Sequence, residues 1–207
     1  MRIQSLCLGM VQTNCYILMN ADTKEAVIVD PPENADAIER RVTVMGAKPV
    51  AVLLTHGHFD HIMAAKEIRE RYGIPVYAHE KEESLLEDPS LNLSVMAGTG
   101  SYSMKADVLV KDGDEPEIPG FNVKVLHTPG HTAGSCCYYF PEDKVLISGD
   151  TLFYGSCGRT DFPTSSGRDM RESLRRLVNE LPEDTAVYPG HDSQTTIANE
   201  KRFNPFV

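Results

Sequence analysis

The segment Thr55-His56-Gly57-His58-Phe59-Asp60-His61 packs three histidines and an aspartate into six residues. Imidazole nitrogens and carboxylate oxygens are the donors that zinc, iron and manganese accept. Residues two apart in extended chain point to the same side, so His56 and His58 are placed to grip one ion. Helical spacing begins around Ile62, which sets Asp60 and His61 on the first turn of a helix, facing a second ion beside the first. Gly57 is expected to let the backbone bend tightly between these residues. The same layout recurs at Val125–Gly130 before His131, at Val145–Gly149 before Asp150, and at Ala186–Gly190 before His191. Each time an apolar run ends, a glycine follows, and a metal-ligand residue type comes next. Singly, each residue has a plainer reading: Asp60 as a helix cap, Asp150 as a turn residue, a histidine as core or surface. Together they supply five imidazoles and two carboxylates, provided the strand ends share one sheet edge. That is too many donors for one tetrahedral ion, and it suits two ions with a shared carboxylate.

The surrounding elements must bring those strand ends together. Short apolar runs at Ala26–Val29, Val50–Leu54, Val108–Val110, Phe121–Leu126, Cys136–Phe140, Lys144–Ile147 and Thr185–Tyr188 read as strands. Ile3–Leu8 and Asn14–Met19 read as a further hairpin. Ala35, Ile38, Val42 and Met45 keep helical spacing before a stop at Gly46. Ile62, Ala65, Ile68 and Tyr72 do the same before Gly73, as do Met170, Leu174, Leu177, Val178 and Leu181, with Ser165 or Ser166 as cap and Pro182 beyond the end. These stripes are core faces. Lys111–Gly120 is a turn-rich connector, and Leu91–Tyr102 has no assignable pattern. Strands with helices between them predict an α/β domain whose sheets are covered by helices, spanning residues 1–207 as one unit.

Composition sets the outer bounds. The 207 residues are 41% apolar and 24% charged, which reads as globular rather than disordered. A formal charge of −10 and the lack of any long basic run argue against nucleic-acid and membrane partners. No apolar stretch nears the ~18 residues needed to cross a bilayer. Met1–Met10 has no continuous apolar block, so no secretory signal is expected and the cytoplasm is. Cys7, Cys15, Cys136, Cys137 and Cys157 form no disulfide framework and are expected to be reduced, with Cys157 inert. His79 and His127 lie outside the pattern; packing, or orienting a ligand from behind, are their two readings.

Four strings, HGHFDH from His56, PGHTAGS from Pro129, SGDTLF from Ser148 and YPGHD from Tyr188, resemble the metallo-β-lactamase superfamily over almost the whole chain. Within it the chain is most similar to the glyoxalase II group (hydroxyacylglutathione hydrolases) and the related persulfide dioxygenases. The resemblance implies an αββα sandwich with metals at the sheet edge. It further implies that His56, His58 and His131 hold one metal, that Asp60, His61 and His191 hold another, and that Asp150 bridges them. The β-lactamases of the resemblance carry Cys at the place of Asp150 and are secreted, which sets antibiotic hydrolysis aside. Flavodiiron relatives carry Glu at the place of His58. The glyoxalase II extension with further basic glutathione contacts has no counterpart here, so a short form is expected.

The chemistry this implies is hydrolysis of a small thioester such as S-lactoylglutathione. Two cations, zinc foremost with iron or manganese as alternatives, lower the pKa of a shared water toward ~7 so that hydroxide attacks the carbonyl. A thiol leaves readily because its pKa is only ~8.5. Asp60 is assigned the catalytic role of orienting that hydroxide. Arg159 matches a basic residue that touches glutathione in the family, and a guanidinium suits a carboxylate; the plainer reading is an Arg159–Asp161 loop pair. Two alternatives stand beside this. Persulfide dioxygenases share the CGRTDF string at Cys157–Phe162 and hold one iron with the residues matching His56, His131 and Asp150. A non-catalytic metal or ligand sensor is the other, although a sensor would tolerate a lost ligand and none is lost.

Overall fold

Strands buried on both faces dominate the chain. Thr13–Met19 (β2) has no exposed residue, nor have Cys136–Phe140 (β8) or Val145–Gly149 (β9). Such strands must be covered on each side, and their alternate side chains enter different cores. The computed structural model describes residues 1–207. Arg2–Leu8 (β1), β2, Glu25–Val29 (β3), Lys48–Leu53 (β4), Val76–His79 (β5) and Val108–Val110 (β6) form one sheet in that spatial order. It is antiparallel through β3 and parallel from β3 to β6. The second sheet runs Thr195–Thr196 (β13), Ala186–Pro189 (β12), β9, β8, Lys124–His127 (β7), with β12 and β9 parallel.

Three apolar clusters make the layers. Tyr16, Leu18, Val27, Val29 and Leu53 of the first sheet meet Val125, Tyr138, Phe140 and Ile147 of the second in the central core. The alternate residues Ile17, Met19, Ile28 and Val52 pack outward on Ile38 and Val42 of Ala35–Met45 (α1), on Ile62 of Phe59–Ile62 (α2), and on Ile68 of Ala65–Tyr72 (α3). Cys137, Tyr139 and Leu146 pack outward on Met170, Leu174 and Leu177 of Gly167–Glu180 (α5). Glu83–Glu87 (α4), a two-strand ribbon of Leu152–Phe153 (β10) and Ser156–Cys157 (β11), and Ile197–Phe203 (α6) complete the elements. This is the expected αββα sandwich, and no helix is long and apolar enough to cross a membrane.

Several expectations shift. The helix expected from Ile62 to Tyr72 is two helices. The Ala64 N–H turns to the carbonyls of Pro31 and Pro32, both at 3.1 Å, and α2 ends before it. The strand expected at Phe121–Leu126 occupies Lys124–His127, and Phe121 makes only an isolated bridge with Ile118. Ser166, not Ser165, caps α5, accepting from the Asp169 N–H. Gly57 does not adopt a positive φ. Its need is steric, because a Cβ there would stand 2.7 Å from Leu85 Cδ2. All five cysteines are free, as expected.

Candidate metal centre

Four strand ends converge where the sheets share an edge, and each carries its donor there. The β4 end leads to His56, His58 and, through α2, to Asp60 and His61; β7, β9 and β12 lead to His131, Asp150 and His191. His56, His58 and His131 form one buried group whose donor atoms lie within 4.8 Å of each other. Asp60, His61 and His191 form a second on the same criterion. Asp150 lies between them. Its Oδ1 is 3.4 Å from His61 Nε2, and its Oδ2 is 3.5 Å from His131 Nε2 and 3.4 Å from His191 Nε2. All seven residues singled out in the sequence are thus in one place.

The outer hydrogen bonds decide which nitrogen faces the site. His131 Nδ1 donates to the Arg159 carbonyl at 2.8 Å, which leaves Nε2 for the centre. His61 Nδ1 donates to Asp30 Oδ2 at 2.9 Å. Thr55 Oγ1 donates to the same Asp30 oxygen at 2.6 Å, so it receives from His56 Nδ1 at 3.2 Å. Thr13 Oγ1 donates to Asp60 Oδ2 at 2.8 Å. Buried atoms without any hydrogen-bond partner include His56 Nε2, His61 Nε2 and Asp150 Oδ1. Lone pairs buried this way are costly unless something electropositive meets them. The residues present therefore fit a pair of divalent cations.

Asp30 was not anticipated. It closes β3 as Asp150 closes β9, but without the glycine that marked the other sites. It holds a left-handed backbone, φ 47°, fixed by its contacts to Thr55 and His61. A third donor group, Asp30 with His56 and His61, also exists. Asp30 meets His61 on Nδ1, the side away from the centre, so it orients rather than ligates. His79 and His127 do not orient any of the seven. They stack on each other, centroids 4.1 Å apart and planes 7° apart, with His127 donating to the Ala133 carbonyl.

Glu82 is the other residue the sequence did not mark. Fully buried, it accepts from the N–H of Gly57 (2.9 Å), from the N–H of Gly134 (2.8 Å) and from Thr132 Oγ1. It thereby ties the His56–His58 loop to the His131 loop. Burial pushes its carboxyl up to about 7 against the pull of those three donors. Glu82→Ala would leave buried donors unsatisfied and is expected to cost about 2–4 kcal/mol, roughly 5–15 °C of Tm. Glu82→Gln keeps an acceptor for Thr132 and Gly134 but turns its amide N–H on the Gly57 N–H, so in thermal unfolding it is expected to lose some stability, but less than Glu82→Ala. Equal losses for the two would remove Glu82 from this role.

Charge separates the two groups. Burial, then the neighbouring imidazoles, hold His56 well below its usual range, and the same causes take His58 to about 3. Burial also works against charge on His61 and His191, but Asp60 and Asp150 outweigh it and hold them up, to about 9 and about 11. His56 and His58 are thus free of protons at neutral pH, whereas His61 and His191 must shed theirs. A ligand nitrogen must be free of its proton, so cation affinity at the second group should rise with pH through neutrality. Calorimetric titration at pH 7 in buffers of different ionisation enthalpy is expected to show about one or more protons released as the second group fills. Zero release would contradict it.

The centre opens into a cavity of about 830 Å³ lined by Met10, Val11, Phe59, Met96, Phe153 and Phe162 among others. Arg159 stands on its wall. Its guanidinium makes two 2.6 Å bonds to Asp161 and lies over the Phe162 ring at 4.0 Å. The plainer reading of Arg159, a loop pair with Asp161, is therefore formed, at the edge of the cavity where a substrate contact was expected. Cys157 lines the same wall, half-buried rather than fully so, and burial raises its thiol.

The family profile described as "Metallo-beta-lactamase superfamily" matches residues 8–191. The chain belongs to this superfamily. Its fold is closely similar to the crystal structure of BLEG-1 B3 metallo-beta-lactamase, with TM-score 0.94, 42% identity and 99% of each chain covered. It is also similar to TTHA1623 in a di-iron-bound form (TM-score 0.87, 33% identity, covering 99% of this chain and 100% of that one). Likeness to ETHE1 from Myxococcus xanthus gives TM-score 0.82 at 33% identity over 99% and 84% of the two chains. By sequence it is 33% identical to hydroxyacylglutathione hydrolase GloC of Haemophilus influenzae, over 100% of this chain and 98% of that one. Superfamily membership and the two donor groups together support divalent-metal binding.

Proposed function

We propose that this metallo-β-lactamase-superfamily chain is a metal-dependent hydrolase that cleaves a small thioester, of the S-lactoylglutathione type. His56, His58 and His131 would hold one cation, Asp60, His61 and His191 a second, and Asp150 would face both. Cations held there would supply a water acidified toward ~7 and polarise the substrate carbonyl. Zinc or iron would serve; the di-iron form of TTHA1623 supports iron alongside the zinc that the resemblance favoured. Five free thiols fit a reducing compartment, the cytoplasm in this reading.

The observation that carries the thioester reading is the lining of the cavity, whose histidines, with Asp60 and Asp150, all belong to the donor groups rather than standing free as acids. Burial works against their charge, yet Asp60 and Asp150 are both held below the usual carboxylate range, chiefly by His61 and His191. They are poor proton donors, so the site suits a leaving group that departs without one, as a thiolate does. Asp60, which accepts from Thr13 Oγ1 at 2.8 Å, would orient an attacking water. The apolar rim of Met10, Val11 and Met96 offers surface to the acyl side.

Likeness to GloC supports the same reading. Two others have an observation behind them. Persulfide oxidation is favoured by Cys157–Phe162, the string that carried that resemblance, and by the likeness to ETHE1. β-Lactam hydrolysis, set aside on sequence for want of a cysteine at Asp150, returns because a chain 42% identical is a B3 metallo-beta-lactamase. The test is loss of the thioester of S-D-lactoylglutathione with metal-loaded and chelator-stripped protein. Oxygen uptake with glutathione persulfide and opening of a chromogenic β-lactam run in parallel. Metal-dependent thioester cleavage far above the other two rates is expected. Faster oxygen uptake or faster lactam opening would replace the reading.

A further inference from the structure

A second groove adjoins the metal cavity at Cys157 and Arg159. It encloses about 480 Å³ between α5 and the 205–207 segment. Three arginines line it, Arg159, Arg171 and Arg175, and no Asp or Glu does; the one other charged group there is the carboxylate of the last residue, Val207. That is a marked local excess in a chain of charge −10. Pairing on α5 sharpens the contrast. Arg168 is bound to Glu172, and Arg176 to Asp112 and Glu180. Arg171 and Arg175, four residues apart and so on one helix face, have no carboxylate partner. Met170, Leu174 and Phe206 give the groove an apolar floor beside these cations.

We propose that this groove is a carrier subsite, in which Arg171 and Arg175 bind the anionic end of the thiol carrier while the thioester reaches past Arg159 to the metal centre. The inference rests on the thioester reading above and adds the substrate class: thiols bearing carboxylate or phosphate groups. A planar guanidinium accepts either anion through paired hydrogen bonds. Arg159, already engaged by Asp161, stands at the junction, and the two free arginines supply the uncommitted charge.

The test uses three thioesters with one common acyl group, carried on glutathione (carboxylates), on coenzyme A (phosphates) and on neutral N-acetylcysteamine. The double variant Arg171→Gln/Arg175→Gln, both positions exposed, is compared with wild type. The ratio of kcat/KM for one charged carrier over the neutral one is expected to fall at least about tenfold, through KM. The carrier that loses its advantage identifies the anion. Arg171→Lys/Arg175→Lys should regain part of it, because charge is kept while the planar fork is lost. An unchanged ratio for both carriers overturns the subsite.

Calorimetric binding of free glutathione and free coenzyme A to both proteins separates the two hypotheses. Arginine-dependent binding without hydrolysis of any thioester keeps the subsite and ends the thioesterase reading. Hydrolysis with arginine-independent binding does the reverse.

Discussion

Asp150→Ala is expected to release both cations together and to lower hydrolysis by roughly 10³-fold, on the order of 4 kcal/mol of transition-state stabilisation. Its carboxylate is the only group that faces His61, His131 and His191 at once, at 3.4–3.5 Å. Without it, neither three-residue group keeps a shared negative charge to offset two adjacent cations. The apo fold should survive, since the Gly149 and Gly190 backbones around it are joined to each other (2.8 Å) and do not depend on the side chain. Metal content by elemental analysis after dialysis, beside a far-ultraviolet dichroism control, checks this. Two tightly held ions in the variant would end the bridging assignment, and loss of one ion alone would reassign Asp150 to a single group.

Gly190→Ala should damage the same centre to a smaller extent, by a different route. A Cβ there would lie 2.2 Å from Asp150 Oδ1 and 2.8 Å from His61 Cε1. The backbone cannot retreat, because the Gly190 N–H donates to the Gly149 carbonyl and its own carbonyl accepts from the Asn14 N–H, both at 2.8 Å. The new methyl must therefore push Asp150 and His61 off their positions. Displacements of this kind around a metal ligand typically cost 10–100-fold in affinity or rate. Cation affinity and kcat are expected to fall together by about that factor, with little change in Tm of the metal-free protein. A variant binding two cations as tightly as wild type would show that the centre tolerates the methyl.

The two predictions rest on different kinds of information. Asp150 was legible because strand, glycine and donor recur in the same local order at His131, Asp150 and His191, and residue type alone carries donor chemistry. Gly190 was legible as part of that order, but the reason for it was not. Neighbours such as Asp150 and His61 come from β9 and α2, and sheet pairing sets their distance. Asp30 and Glu82 escaped for the same cause. Asp30 reaches Thr55 and His61 across 25 and 31 residues, and Glu82 joins Gly57 to Gly134 across 25 and 52. No periodicity in either segment records such a partner. The break between α2 and α3 depends likewise on the carbonyls of Pro31 and Pro32, outside the helical stripe that suggested one helix.

The sequence by itself determined an α/β domain with helix-covered sheets and seven candidate His and Asp donors, because strand runs, helical stripes and His/Asp spacing are local patterns; the αββα sandwich followed from the resemblance that its four motif strings carry. Tertiary structure alone decided which nitrogen of His56, His61 and His131 faces the centre and which groups hold it there. It also decided that Arg159 is paired with Asp161, and that Arg171 and Arg175 share a groove with it. The physical reason is that hydrogen-bond partners, burial and charge are properties of position in space, and in this fold they are set by strands brought together from opposite ends of the chain.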